Sequence, residues 1–195
     1  QMYGGDTYIA IMTIINSIRE IASLPGQGVA NASQPVLGYN YGAKEYKRVL
    51  SGIKFLTIAG FSMMFIIWGI ISLFPGFFIR IFSQDPEIIL KGTTSIHLYF
   101  FGFFMMSLQM SAQSTYVALG ESKKAIFFSL LRKIIVVVPL TILLPRLFNL
   151  GTNGVFLAEP ISNFIGGLAT YSTMILTVWK NLSIEIKKEN EYIML

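Results

Sequence analysis

Apolar residues in this chain come in long unbroken runs, with neither the alternation of a half-buried strand nor the narrow stripe of a soluble helix. Five runs stand out, at about residues 7–40, 55–78, 93–119, 125–144 and 155–179. A hydrocarbon layer about 30 Å thick is crossed by roughly 20 helical residues, and in that layer each backbone polar group must be satisfied within its own segment. The runs therefore predict an all-α integral membrane protein, a bundle of five transmembrane helices within residues 1–180. Breakers close the runs: Pro75-Gly76 with Arg80, then Gly120-Glu121-Ser122-Lys123-Lys124, then Pro145-Arg146. The first run is longer than one span at about 1.5 Å per residue. It holds Pro25 and Pro35, so it must tilt, kink at the prolines or protrude. The charged tail, residues 181–195, is expected to fray in water.

Composition narrows the picture. Of 195 residues, 53% are hydrophobic and 13% charged, against about 25% charged in soluble domains, and the mean hydropathy is +0.62. There is no cysteine and a single histidine, His97, so disulfides, thiolate sites and histidine metal centres are excluded. No nucleophile–base pair, metal spacing or phosphate loop is visible, which argues against an enzyme and against a cofactor. The GESKK stretch at 120–124 lacks the full phosphate-loop pattern and reads as a turn. His97 falls at the start of the third run, an interfacial position.

The net charge of +5 is better explained by cytoplasmic loops than by nucleic acid. Five spans put Lys44, Lys47, Arg48, Lys54, Lys123, Lys124, Arg132, Lys133, Lys180, Lys187 and Lys188 on one side, and only Arg80, Lys91 and Arg146 on the other. The positive-inside rule then makes the C-terminus and the loops at Lys44 and Lys123 cytoplasmic. The chain opens QMYGGDTY without a signal peptide pattern. Five spans starting from outside read as the back part of a longer protein.

Polar residues inside the runs are the candidates for function. Arg19 and Glu20 fall near mid-bilayer depth, where a charge costs a few kcal/mol and marks either a pathway or a structural ion pair. Asn16 shares a helix side with Arg19. Gln109 and Gln113 are one turn apart, on a stripe with Met106 and Tyr116 and near Ser107, Ser111 and Ser114. They could join helices or wall a polar cavity. FFMM at 103–106 suits either apolar ligands or lipid. Glu159, beside Pro160, could take up protons or pin the bundle's outer end; Glu20 is the other protonatable candidate. Gly28 and Ala32, like Gly38 and Gly42, are spaced for close helix approach. Pro25, Pro35, Gly38 and Gly42 are hinge or gate candidates.

Four stretches together carry a family resemblance: GVANASQPVLGYNYGAKEYKRV at 28–49, FPGFFIRIFSQDPEI at 74–88, ALGESKKA at 118–125 and GTNGVFLAEPIS at 151–162. In order and content they resemble the C-terminal half of MATE (multidrug and toxic compound extrusion) transporters, the Y-N-Y-G-A stretch most specifically. The resemblance implies two six-helix lobes around a central cavity, with these spans as helices eight to twelve and an N-terminal lobe as partner. It implies a multi-pass cell (plasma) membrane antiporter exporting small organic, often cationic, drugs in exchange for H⁺. Na⁺ is less favoured, because the third run has no Asp or Glu among its apolar residues. Asn16, Arg19, Gln109, Gln113 and Tyr116 would then line this lobe's share of the cavity. A lipid-linked saccharide flippase of the same superfamily, which clustered cavity cations would favour, and a non-transporting membrane scaffold or subunit are the alternatives.

Overall fold

The computed structural model describes residues 5–147 and 150–193, and every regular element in them is a helix. Helix α1 spans Gly5–Gly42, continuous through Pro25 and Pro35. At about 1.5 Å per residue it is roughly 57 Å long, well beyond a hydrocarbon core. A tight corner follows, with Lys44 in the left-handed region at φ 61° and the Glu45 amide donating to the Asn40 carbonyl at 2.9 Å. Helix α2 covers Tyr46–Leu73, starting well before the second apolar run and ending inside it, and the short α3, Pro75–Arg80, begins at the Pro75-Gly76 breaker.

The third run is not one helix. It divides into α4 (Pro86–Phe100) and α5 (Met106–Ala118), joined by a 3-10 turn at Phe103–Met105. Gly102 stands at φ 74°, and a Cβ there would collide with the Phe164 ring. Glycine is thus required twice over, for the left-handed backbone and for the close approach. Opposite Phe164, the Phe104 ring meets Phe61, Phe65 and Trp68 edge-on at 5.2–5.4 Å. The break is therefore held from both sides. FFMM is core at this joint: Phe103 and Met106 are buried.

The fourth run is α6 (Ser122–Leu130), a π-helical stretch Leu131–Val137 and α7 (Val138–Leu143). The wide turns immediately precede Pro139, which has no N–H to donate to the ladder. The last run continues from α8 (Thr152–Met174) through π turns at Ile175–Trp179 into α9 (Lys180–Ile193). This corrects the expectation that the tail frays. Leu182 is buried in the bundle, Lys188 pairs with Glu185 at 2.7 Å, and Lys47 Nζ reaches Asn190 at 3.2 Å. Met194 and Leu195 of that tail lie outside the described residues.

Four of these helical stretches are long and apolar enough to cross a membrane: Tyr46–Leu73, Pro86–Ala118, Ser122–Leu143 and Thr152–Glu191. Helix α1 is the fifth member of the bundle by packing rather than by hydropathy, lying along α2, α4 and α5. Two apolar cores are stacked along it. One gathers Ile11, Ile15 and Ile18 with Ile96, Tyr99, Phe100 and Phe156. The other gathers Ala30 and Leu37 with Ile53, Leu56, Tyr116 and Met174. Close approach uses a different register from the one expected. A Cβ on Gly26 would meet Met64 at 2.8 Å and one on Gly38 the Ala118 carbonyl at 3.1 Å, whereas Gly28 and Gly42 face open space.

Candidate functional site

Along α1, Asn16, Glu20, Ser23, Gln27, Asn31 and Gln34 recur every three or four residues, which on a helix is one side. That polar stripe is why α1 is less apolar than its neighbours. Helix α1 packs on α2, α4 and α5, while the Ser122–Leu143 segment packs on α5 and α8. A trough remains between α1 and that segment, floored by α5. At the Gly42 end it is a cavity of about 440 Å³ lined by Gln27, Asn31, Gln34, Gln113 and Ser129. It narrows to about 150 Å³ around Arg19, Gln109, Gln113, Arg132 and Lys133. A further cavity of about 150 Å³ includes Asn16, Arg19, Tyr99, Lys133 and Glu159.

Beside the narrow part lies a buried charge triad. Arg132, in the π-helical stretch, donates through Nη1 to Gln109 Oε1 at 2.9 Å and through Nη2 to Glu159 Oε1 at 2.5 Å. Arg132 is only 5% exposed and Glu159 8%. Three local features build it. A π turn re-aims the side chains it carries. Gly166 on α8 makes room for the arginine stem, since a Cβ there would come within 2.7 Å of Arg132 Cδ. Glu159 sits seven residues into α8, about 10 Å along the helix, and Arg132 ten residues beyond the start of α6, about 15 Å along its own. Both are at membrane depth, where pairing offsets the cost of desolvation. The Arg132 Nε is shielded from solvent and has no hydrogen-bond partner among the described residues; the same holds for Arg19 Nε.

Arg132 is therefore not a loop cation. Lys133, its neighbour, opens on the same trough. Without these two, the loop count is nine against three. The asymmetry survives, but Arg132 belongs to the site.

The other expected residues divide. Asn16 Oδ1 accepts from the Tyr99 hydroxyl at 3.0 Å and lines the trough. Arg19 lines it too, and its contact with Glu20 is long, 3.9 Å, with the Glu20 side chain 77% exposed. Gln109 and Gln113 both line the trough and both join helices, Gln109 by accepting from Arg132 and Gln113 by donating to the Ala125 carbonyl at 3.4 Å. Tyr116 departs from the cavity expectation: its ring is fully buried and stacked on Phe128 at 6.2 Å. Glu159 pins the bundle, but well inside it and through Arg132. Pro25 and Pro35 are exposed positions of a continuous helix, with Pro25 on an apolar groove formed with α2 and α3. Gly38 is a packing contact on Ala118 and Gly42 ends α1. His97 is exposed on α4.

The family model described as MatE matches residues 1–143 of this chain, and none of the curated proteins matches it. Among solved structures, the chain is similar to a multidrug resistance MATE family transporter of the MOP superfamily in its outward-facing conformation. That match has 18% identity and a TM-score of 0.85, over 95% of this chain and 41% of that one. An inward-facing conformation gives 18%, 0.85, 95% and 42%. A MOP superfamily transporter from Pyrococcus furiosus, described as having a binding pocket of reverse polarity, gives 18%, 0.84, 94% and 40%. At such identity the likeness is one of fold. The chain spans about two fifths of the length of these structures.

Proposed function

The chain belongs to the MatE family, and on that premise we propose that it is the C-terminal lobe of an antiporter exporting small organic molecules across the cell membrane. Its partner is an N-terminal lobe, and the polar trough is this lobe's share of the cavity between them. One observation carries the reading. In a bundle that is otherwise apolar, the amides of Gln27, Asn31, Gln34 and Gln113 are gathered on one concave face. Lipid would leave such groups without partners, so the face is suited to water, to cargo and to a second lobe. The equal likeness to outward-facing and inward-facing structures supports a lobe that keeps its shape while the cavity changes sides. In this reading residues 1–180 are the membrane lobe, and 181–195 end it on the cytoplasmic side. The work is transport, not covalent chemistry.

H⁺ is the proposed coupling ion ahead of Na⁺. The trough carboxylate linked to the third run is Glu159, joined to Gln109 through Arg132, and Arg132 already occupies it; a cation-free carboxylate would be needed to hold Na⁺ there. Glu159 is also the only acid lining the trough cavities described above. A carboxylate facing a cationic drug would therefore come from the other lobe. The test uses the full-length protein in cells lacking their own efflux pumps. Dye accumulation should fall, and an uncoupler should restore it. Accumulation that stays low with the uncoupler and rises when Na⁺ is removed would overturn the proton assignment. Accumulation that never falls, for cationic and anionic dyes alike, would overturn the export reading.

A further inference from the structure

We propose that the narrow part of the trough is an anion subsite, where Arg19, Lys133 and the unpaired Nε–H edge of the Arg132 guanidinium receive the phosphate or carboxylate of a cargo with an apolar body. The inference rests on the reading of this face as cavity wall, and it names the cargo's charge. Arg19, Arg132 and Lys133 bring three positive charges to the narrow cavity and its neighbour, and Glu159 brings one negative charge. Glu159 is spent on Arg132. Glu20 is turned outward and 3.9 Å from Arg19, and Lys133 has no ion-pair partner among the described residues. The balance leaves Lys133 without a counter-charge and Arg19 with only a long contact to an exposed carboxylate, a costly arrangement at membrane depth that a bound anion relieves.

Two further features point to a ligand. Arg132 is 95% buried by its 5% exposure, yet its Nε–H has no partner, and a buried donor left unmade costs its full desolvation. A planar guanidinium edge is matched to the paired oxygens of phosphate or carboxylate. The cavity also has two parts of different character. The portion of about 150 Å³ with the cations suits a headgroup. It opens, past the shared Met110, Gln113 and Ser129, into the portion of about 440 Å³ that adds Val117, Ile126 and Ala30. A cationic cargo would put another positive charge beside Arg19 and Lys133.

The experiment compares phenyl phosphate with phenyltrimethylammonium, one aromatic body with opposite charges. Both are titrated calorimetrically into the full-length protein in phosphatidylcholine nanodiscs. Phenyl phosphate should bind at least about tenfold more tightly than the ammonium compound. Arg19→Gln and Lys133→Gln should each weaken it by about tenfold, the usual size of one charge-assisted hydrogen bond. Arg132 is left intact because the fold uses it, and the unfolding midpoints of both variants should match the parent. Adding phosphatidylglycerol to the discs separates two sources of the same chemistry. Weakened phenyl phosphate binding supports the site as one for lipid headgroups, and unchanged binding supports it as one for soluble anions. The subsite is overturned if the ammonium compound binds as tightly as the phosphate, or if both substitutions leave phosphate affinity unchanged. Proteoliposomes keep the two readings apart. Ammonium export without phosphate binding refutes the subsite alone, whereas phosphate binding without export of either compound refutes the transport reading.

Discussion

Replacing Arg132 by Met, Glu159 by Leu, and both together, should give a stability cycle in which the two losses do not add. Both residues are more than nine-tenths buried and their charged atoms are 2.5 Å apart. Removing one partner strands the other as an uncompensated charge, which costs about 3–5 kcal/mol. Arg132→Met also frees Gln109 Oε1 from its 2.9 Å bond, so it should sit at the upper end of that range. Were the sites independent, the double variant would lose roughly twice a single loss. It strands no charge, and apolar replacements of buried pairs are often neutral or even stabilising, so it should lose less than either single variant. The coupling is then on the order of 3 kcal/mol or more. Reversible unfolding of the full-length protein in mixed micelles, followed by far-UV circular dichroism, reads all four states. Additive losses, or single variants within about 0.5 kcal/mol of the parent, would refute a desolvated pair and return Arg132 to water.

Other substitutions test the fold and the trough. Gly102→Ala should destabilise strongly. Pairing it with Phe164→Ala should recover the steric part but leave about 1–2 kcal/mol from the left-handed backbone at φ 74°, as read by the same unfolding assay. Gly154→Ala should cost about 1–3 kcal/mol, because its Cβ would stand 2.6 Å from the Leu144 carbonyl carbon and the Pro145 nitrogen, backbone atoms that cannot swing away. Gly28→Ala, in open space on the same kind of helix, should instead gain about 0.5–1 kcal/mol. Asn31→Leu, on the trough wall, should raise the cargo KM in proteoliposomes with the unfolding midpoint unchanged; unchanged transport would remove that wall from the cargo's path.

The membrane helices could be read because long apolar runs have few other uses, and the Y-N-Y-G-A corner because its residues are unusual in combination. What the sequence hid was set by partners distant in the chain. FGFF at 101–104 reads as unbroken apolar helix, and only Phe164, some sixty residues on, explains why Gly102 turns there. Arg132 resembles a loop cation in the sequence because Lys133 adjoins it and Lys123-Lys124 precede it. A signal is present all the same: it stands about seven residues into the apolar run that begins near 125, too deep for a loop. The stripe from Asn16 through Glu20, Gln27 and Asn31 to Gln34 is also there to be read by its spacing, although only Asn16 and Glu20 of it, with the nearby Arg19, stand among the expected site residues. Tyr116 shows the reverse error. Sharing a side with Gln113 was not enough to open it to the cavity, because Phe128 covers its ring.

The joint at Gly102 has a mechanical consequence. Helices α1 and α8 run past both stacked cores without interruption, apart from the π turns at the far end of α8, and act as rods. Between them the third crossing is cut at the level where one core gives way to the other. A load on one end of the lobe is carried down the rods, but at that level the α4–α5 strut has only a short 3-10 turn in place of a continuous α-helical ladder. The ring of Phe104, packed on Phe61, Phe65, Trp68 and Phe164, resists there together with the short 3-10 turn. The lobe is stiff along its length and compliant at one storey, and that storey adjoins Gln109, the residue that ties the strut to the charged triad.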